Sequence, residues 1–221
     1  MENLTKIAAL QFPTTNYEIG VDEAGRGPIA GDVFAAAVIL DSANKIDGLK
    51  DSKKLSEKKR NALAEEIKQK ALFFAIARAN LEEILRLNIL WAAMLAMQRA
   101  VQSVILQSLE KNDHSQFLVQ IDGNKQPDFS DFVKSQQNQN LQLQTQTIVK
   151  GDALFANIAA ASILAKTARD AEMCELDKQF PQYQFAKHKG YPTPKHLELV
   201  KTFGVSPIHR IGFAPIKNLL K

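Results

Sequence analysis

Cysteine is nearly absent: Cys174 is the one thiol in 221 residues. That excludes an internal disulfide and any cysteine-based zinc site. The four histidines, His114, His188, His196 and His209, are scattered, so no closely spaced imidazole pair is offered to a metal either. Long apolar runs are also missing; the run at 89–95 is soon interrupted by Gln98 and Arg99, short of the length that spans a bilayer. The N-terminal apolar patch at 7–10 is brief and follows Glu2, which is not the form of a signal peptide. One thiol and no export signal give a reducing cytoplasm as the expected location.

With 45% apolar and 24% charged residues, the composition is that of an ordinary globular chain, long enough for one large domain or a domain plus an appendage. The net charge of +4 is unevenly spread. Residues 178–221 carry eight Lys/Arg against one acid, Glu198, which leaves 20 bases and 23 acids for the first 177. A basic C-terminal section on an acidic body suits a grip on a polyanion beside a metal centre; a solvated basic tail has the same composition.

The most informative stretch is 17–33, YEIGVDEAGRGPIAGDV. An apolar run ends in two adjacent carboxylates, Asp22 and Glu23. A loop with Gly25, Arg26, Gly27, Pro28 and Gly31 follows, and a second apolar run begins at Val33. Glycine and proline punctuate a tight strand-to-strand connection. An arginine between two glycines is surplus to such a turn: the glycines allow a polymer to approach the backbone, and a guanidinium fork suits phosphate.

Taken in order, 1–16 reads as a loosely attached leader, 17–177 as the catalytic domain and 178–221 as a basic helical section. Strands are predicted over 17–23, 33–40 and 73–79, with a helix over 56–70 opened by Ser56 and carrying Leu63 and Ile67 on one face. A long helix follows over 81–109, and a compact buried strand over 117–121 stops at Asp122–Gly123. The glutamine-rich segment 135–147 reads as a mobile loop in its first half and as a strand in its second, from the alternation of Leu141 and Leu143. A helix over 153–176 comes next. Short links between the first three strands call for an antiparallel meander; the longer crossovers before the last two call for parallel neighbours. The expected fold is α/β, a mixed five-stranded sheet flanked by helices.

Acids stand where these strands and helices end. Asp22, Glu23, Asp122 and Asp152 would meet at one sheet edge if their strands are neighbours. Anions that close repel one another unless cations intervene, and hard oxygen donors suit Mg²⁺ or Mn²⁺. Each also has a plainer reading: Asp152 as a helix N-cap, Asp122 as a turn residue before glycine, and Asp22 with Glu23 as a solvated strand end. Successive strand residues face opposite sides, so Asp22 and Glu23 share a site only if the strand ends or bulges between them.

Together the motifs resemble type 2 ribonuclease H, the bacterial ribonuclease HII. The resemblance covers about 17–215 and rests on GVDEAGRGPIAG (20–31), LKDSKKLS (49–56), IDG (121–123), VKGDALFANIAAASILAKTARD (149–170), HKGYPT (188–193) and the HR pair with Phe213 (209–213). It implies a ribonuclease H-like sheet and a metal-dependent endonuclease. The implied activity cuts the RNA strand of RNA–DNA hybrids and cuts at ribonucleotides embedded in duplex DNA, leaving 3′-hydroxyl and 5′-phosphate ends. By matching positions, Asp22, Glu23, Asp122 and Asp152 would hold Mg²⁺ or Mn²⁺, and Gly25, Arg26 and Gly27 would reach the ribose 2′-hydroxyl, the group that separates RNA from DNA. Tyr191 would pack on the sugar beside the cut; its plainer reading is a core tyrosine held by Pro192. Ser52, Lys53, Lys166 and Arg169 would contact phosphates, the last two being three apart on one helix face. A monomer is expected, with no membrane partner and a sliding-clamp contact through the C-terminal tail.

Two features depart from the family pattern. Asp32 stands where a proline is usual, adding a fifth acid nearby, and the glutamine-rich segment has no derivable role. Two other functions fit parts of the sequence. A branched-DNA resolvase of the same fold would not need the glycine–arginine loop. A non-catalytic nucleic-acid binder would use the basic tail without magnesium-dependent cutting.

Overall fold

The computed structural model describes residues 10–11, 17–49, 52–111 and 115–220. Five strands form one sheet in the order β3-β2-β1-β4-β5: β1 (Glu18–Ala24), β2 (Val33–Ile39), β3 (Phe73–Ala79), β4 (Gln116–Asp122) and β5 (Gln142–Ile148). β1–β2 and β2–β3 pair antiparallel, and β4 lies parallel to both β1 and β5. This is the mixed sheet predicted from the connection lengths.

Alternation along the central strands builds two cores. Ile19 and Val21 of β1 join Val33, Ala35, Ala37 and Ile39 of β2 in a cluster under α2 (Leu81–Lys111). Ala36 and Val38 point the other way, into a cluster with α1 (Glu57–Lys70) and α4 (Ala156–Gln179). The approach of α4 to β1 is close because Gly20 has no side chain; a methyl group there would lie 2.1 Å from the Asn157 carbonyl carbon. Asn157 stitches the contact, its amide donating to the Glu18 carbonyl at 2.8 Å and its oxygen accepting from the Leu40 N–H at 3.1 Å.

α1 and α2 start where polar side chains satisfy free amides. Ser56 accepts from the Lys59 N–H, as its position predicts. At α2, Asn80 and Glu83 cap each other's backbone N–H groups reciprocally, both at 2.9 Å. The predicted long helix is broken near its start: Asn88 has φ 64° and ψ 167°, and its Oδ1 accepts from the Leu90 and Trp91 amides, recapping the chain. By length and composition α2 is apolar enough to cross a membrane, but half of its most apolar window is buried against the sheet.

Other segments are more structured than the sequence suggests. α3 (Ser130–Ser135) leads into the glutamine-rich segment, and a 3-10 turn at Gln137–Gln139 lies within the half predicted as loop. β5 is an edge strand whose glutamines 142, 144 and 146 face solvent, a polar edge that discourages further pairing. The leader reading falls mostly on 1–9 and 12–16, outside the described residues, but Gln11 is tied in: its N–H donates to the Leu154 carbonyl at 2.7 Å and its carbonyl accepts from Ala156 at 2.8 Å. α4 also runs through the expected boundary at 177. The C-terminal section, with α5 (Phe185–His188), α6 (Pro194–Phe203) and α7 (Ala214–Lys217), packs Tyr183, Phe185, Leu199, Val200 and Ile216 onto Ile29, Ala30 and Met173.

Candidate active site

β1 and β4 run parallel with Val21 opposite Ile121, so the next residues along, Asp22 and Asp122, lie side by side at the carboxyl ends of adjacent strands. Asp22 is 6% exposed. Burial pushes its carboxyl well above the usual range, and the negative charges of Glu23 and Asp122 push it further. A hydrogen bond from Ser162 opposes that rise, as does the Glu23 N–H, which donates to Asp22 Oδ1 at 2.7 Å. Burial likewise raises Glu23, against the Arg26 guanidinium at 3.2 Å and the charge of Lys53. Asp122 Oδ1 accepts from the Gly151 N–H at 2.7 Å.

The strand does not end or bulge between the first two acids. β1 continues to Ala24 with Asp22 opposite Ala36 and Glu23 opposite Ala35. Asp22 therefore faces α4, and Glu23 enters the shared field from the other side of the sheet end. Asp152 is not a helix N-cap: it is buried in a 3-10 turn, Gly151–Ala153, and α4 starts three residues later at Ala156. Its neighbour Gly151 is the residue bonded to Asp122. Among the described residues, no three carboxylate, imidazole or thiol groups are gathered closely enough to clasp one cation as they stand. The donor chemistry fits a hard divalent ion nonetheless. Buried, mutually repelling carboxylates favour a cation, and Mg²⁺ typically takes one or two carboxylates plus water and substrate phosphate, not a closed cage.

Beside the acids, the glycine loop is held from below by two arginines. Arg210 donates to four of its carbonyls: Gly31 at 2.8 Å, Pro28 at 2.7 Å, Asp32 at 3.0 Å and Arg26 at 3.3 Å. Burial, with the Arg169 charge adding to it, lowers the Arg210 pKa to about 9. Arg169 is 1% exposed, donating to the Lys189 carbonyl at 3.0 Å and the Ala30 carbonyl at 3.2 Å. Arg169, expected to contact phosphate, thus directs its fork to backbone carbonyls, and the C-terminal section covers it. Gly25, at φ 106°, passes so near that a methyl group there would lie 2.3 Å from Arg169 Nε. Among the described residues, neither the Arg26 nor the Gly27 amide donates to a backbone carbonyl.

Tyr191 closes the far side of this loop. Its ring lies against Gly27, 3.4 Å from where a Cβ would stand, and the residue is 40% exposed, which sets aside the core-tyrosine reading. The charges of Lys166 and Arg169 lie 5.9 Å from the ring centre. Lys166 is half-buried and paired with Asp170 at 2.5 Å; Asp170 also pairs with Arg60 at 3.1 Å. Ser52, expected to bond phosphate, is buried and shares a 2.9 Å hydrogen bond with Ser162. Since Ser162 also bonds Asp22, Ser52 links the 3-10 turn Ser52–Lys54 to the acid cluster. Lys53 sits on that turn and its charge reaches Glu23; Lys50 and Asp51 of the same motif lie outside the described residues, as does His114. Asp32 takes no part, being drawn into an ion pair with Arg78 at 3.4 Å. Sequence reasoning missed Ser162 and Arg210, although both lie inside motifs it had singled out.

The ribonuclease HII family model matches residues 19–216. The chain belongs to the ribonuclease HII family. It is therefore a metal-dependent ribonuclease H hydrolase, an endoribonuclease acting on RNA–DNA hybrids. The fold is similar to that of ribonuclease H2 from Pyrococcus horikoshii, with a TM-score of 0.69 at 24% identity over 91% of this chain and 96% of that one. It is also similar to the ribonuclease HII of Archaeoglobus fulgidus, solved in complex with PCNA, with a TM-score of 0.64 at 24% identity over 92% and 97% of the two chains. Bst-RNase HIII, solved with Mn²⁺, gives a TM-score of 0.69 at 17% identity over 97% of this chain and 70% of that one.

Proposed function

We propose that this ribonuclease cuts on the 5′ side of ribonucleotides embedded in duplex DNA as well as within RNA–DNA hybrids, leaving 3′-hydroxyl and 5′-phosphate ends. The observation that carries this reading is the adjacency of two different devices. Acids at the carboxyl ends of β1 and β4 meet a glycine–arginine loop whose Arg26 and Gly27 amides have no backbone acceptor among the described residues. Such amides can approach a ribose 2′-hydroxyl directly, and Arg26, half exposed, is placed for the neighbouring phosphate.

In this reading Asp22, Glu23, Asp122 and Asp152 hold Mg²⁺ or Mn²⁺. When bound, a pair of such ions supplies water activation and stabilises the leaving 3′-oxygen of an in-line displacement. The chain's own work is positional. Ser162 and the Glu23 N–H orient Asp22, the Gly151 N–H orients Asp122, and Lys53 adds positive charge at the rim. Tyr191, standing against Gly27, packs on the sugar next to the cut and distinguishes an RNA–DNA junction. Lys166 contributes charge beside that ring. The chain acts as a monomer in the cytoplasm. The PCNA complex of the Archaeoglobus protein supports a sliding-clamp contact through the C-terminal tail, where Leu219 and Leu220 are exposed.

The test is cleavage, with Mg²⁺ and separately with Mn²⁺, of a duplex holding a lone ribonucleotide. Wild type is expected to cut it, and Asp22→Asn or Asp122→Asn to lose at least about 10³-fold in turnover while remaining folded. Near-normal turnover in either variant would remove that residue from the metal site. Failure of wild type to cut this duplex while cutting a hybrid would remove the junction reading.

A further inference from the structure

The buried histidines of the C-terminal section form a directed hydrogen-bond chain that ends on the backbone of Tyr191. The Tyr191 carbonyl can only accept, so His196 Nδ1, 2.8 Å away, carries a hydrogen. Neutral His196 then presents Nε2 as an acceptor, and His209 Nε2 donates to it at 3.1 Å. That leaves His209 Nδ1 as an acceptor, and the Ser206 N–H at 2.9 Å can only donate there, joined by the Ser206 hydroxyl at 2.7 Å. Every partner agrees with one assignment of protons. His196 is fully buried and His209 nearly so, hence no water is needed to complete the chain.

A third imidazole works from the other side. The His188 ring stacks on His196 with centroids 4.1 Å apart, donates from Nε2 to the Tyr183 carbonyl at 2.8 Å, and accepts from the Gly190 N–H at 3.2 Å. Imidazoles therefore hold the Tyr191–Pro192 peptide on one side of Tyr191 and the Lys189–Gly190 peptide one residue before it. The Gly190 carbonyl in turn accepts from the Ile29 N–H at 2.9 Å, sewing this segment to the end of the glycine loop.

We infer that His196 and His209 are positioning residues for substrate selection: they fix the Tyr191 backbone so that its ring stays against Gly27 at the RNA–DNA junction. This rests on the proposed role of Tyr191. A purely structural role would slow both substrates alike; a positioning role changes their ratio.

The experiment compares kcat/KM on a uniform RNA–DNA hybrid and on a duplex with one ribonucleotide, for wild type, Tyr191→Ala, His196→Ala and His196→Asn, with Tm measured for each. His196→Ala is expected to lower the single-ribonucleotide to hybrid ratio by about 10-fold, since small misplacements of a contacting group are costly. His196→Asn, whose amide nitrogen takes the place of Nδ1 and can donate to the Tyr191 carbonyl, is expected to recover the ratio to within about threefold of wild type. Combining His196→Ala with Tyr191→Ala is expected to add nothing to the ratio change of Tyr191→Ala alone. If Tyr191→Ala shifts the ratio and folded His196→Ala does not, the positioning inference falls while the Tyr191 reading stands. If Tyr191→Ala itself leaves the ratio unmoved, the Tyr191 reading falls and takes the inference with it. Should His196→Ala not fold, Ser206→Ala, which removes only the hydroxyl donor, is read by the same ratio, and an unchanged ratio overturns the inference.

Discussion

Acid should weaken this fold through the same imidazoles. Burial lowers the pKa of His196 to about 4 from 6.5, and that of His209 likewise. A group harder to protonate when folded contributes stability that is complete above its unfolded pKa and is lost as pH falls through 6.5 toward the folded value. The geometry gives the same sign: a proton added at His196 Nε2 would face the His209 Nε2–H, and one added at His209 Nδ1 would face the Ser206 N–H. Treated as independent, each ring would cost about 2 kcal/mol on going from pH 7 to pH 5. The two share a hydrogen bond and titrate as a pair with some solvent screening, so the expected loss is about 2 kcal/mol in total. His188 shifts in the same direction through burial, whereas burial raises Asp22 and Glu23, whose strain acid relieves. The comparison must therefore be with a chain lacking only this pair. His196→Asn/His209→Gln keeps amide groups near the imidazole positions and removes both titrations. In urea unfolding at pH 7 and pH 5, wild type should lose about 2 kcal/mol more than this double variant, roughly 0.7 M in midpoint. Equal losses would show that these rings do not govern the acid response.

Two substitutions test the frame that holds the site. Gly20→Ala places a methyl group 2.1 Å from the Asn157 backbone, which cannot yield as a side chain would, and is expected to cost about 3 kcal/mol or more in chemical denaturation. Arg210→Lys exchanges a fork that reaches four loop carbonyls for a single ammonium. It should lower stability by about 2–4 kcal/mol and raise KM on ribonucleotide-containing duplex more than it lowers kcat; an unchanged KM would mean the loop holds its shape without that residue.

Much of the frame was legible from spacing. The apolar run through Ile19 and Val21 predicted the first strand, connection length predicted which pairs are antiparallel, and acids at apolar strand ends marked the edge where Asp22 and Asp122 lie abreast. The break at Asn88 was harder to see because the apolar pattern continues across it. Its left-handed backbone and its side-chain bonds to Leu90 and Trp91 distinguish this asparagine from one carried on a helix surface. Ser162 was hidden by its surroundings. In an alanine-rich helix a serine reads as one more small residue, and its value comes from facing Ser52, which is 110 positions away in the chain.

Arg169 shows where periodicity stops being informative. Residues three apart on a helix do share a face, so Lys166 and Arg169 were rightly grouped, and both charges lie near the Tyr191 ring. Which face is covered, however, is decided by the chain that returns across it. Here Ala30 and Lys189 bring carbonyls over the middle of α4, and the longer fork of arginine satisfies them. Lys166, one turn earlier, finds the Asp170 carboxylate and keeps partial exposure. The same basic pattern thus divides into one cation that holds the loop together and one that remains near its surface. That division follows from how closely Gly25 and Gly31 let the backbone approach: a methyl at Gly31 would lie 2.7 Å from Met173 Sδ, and one at Gly25 would strike Arg169 itself. The glycines of the loop accordingly serve the layer beneath it, and the arginine under them is buried because they are small.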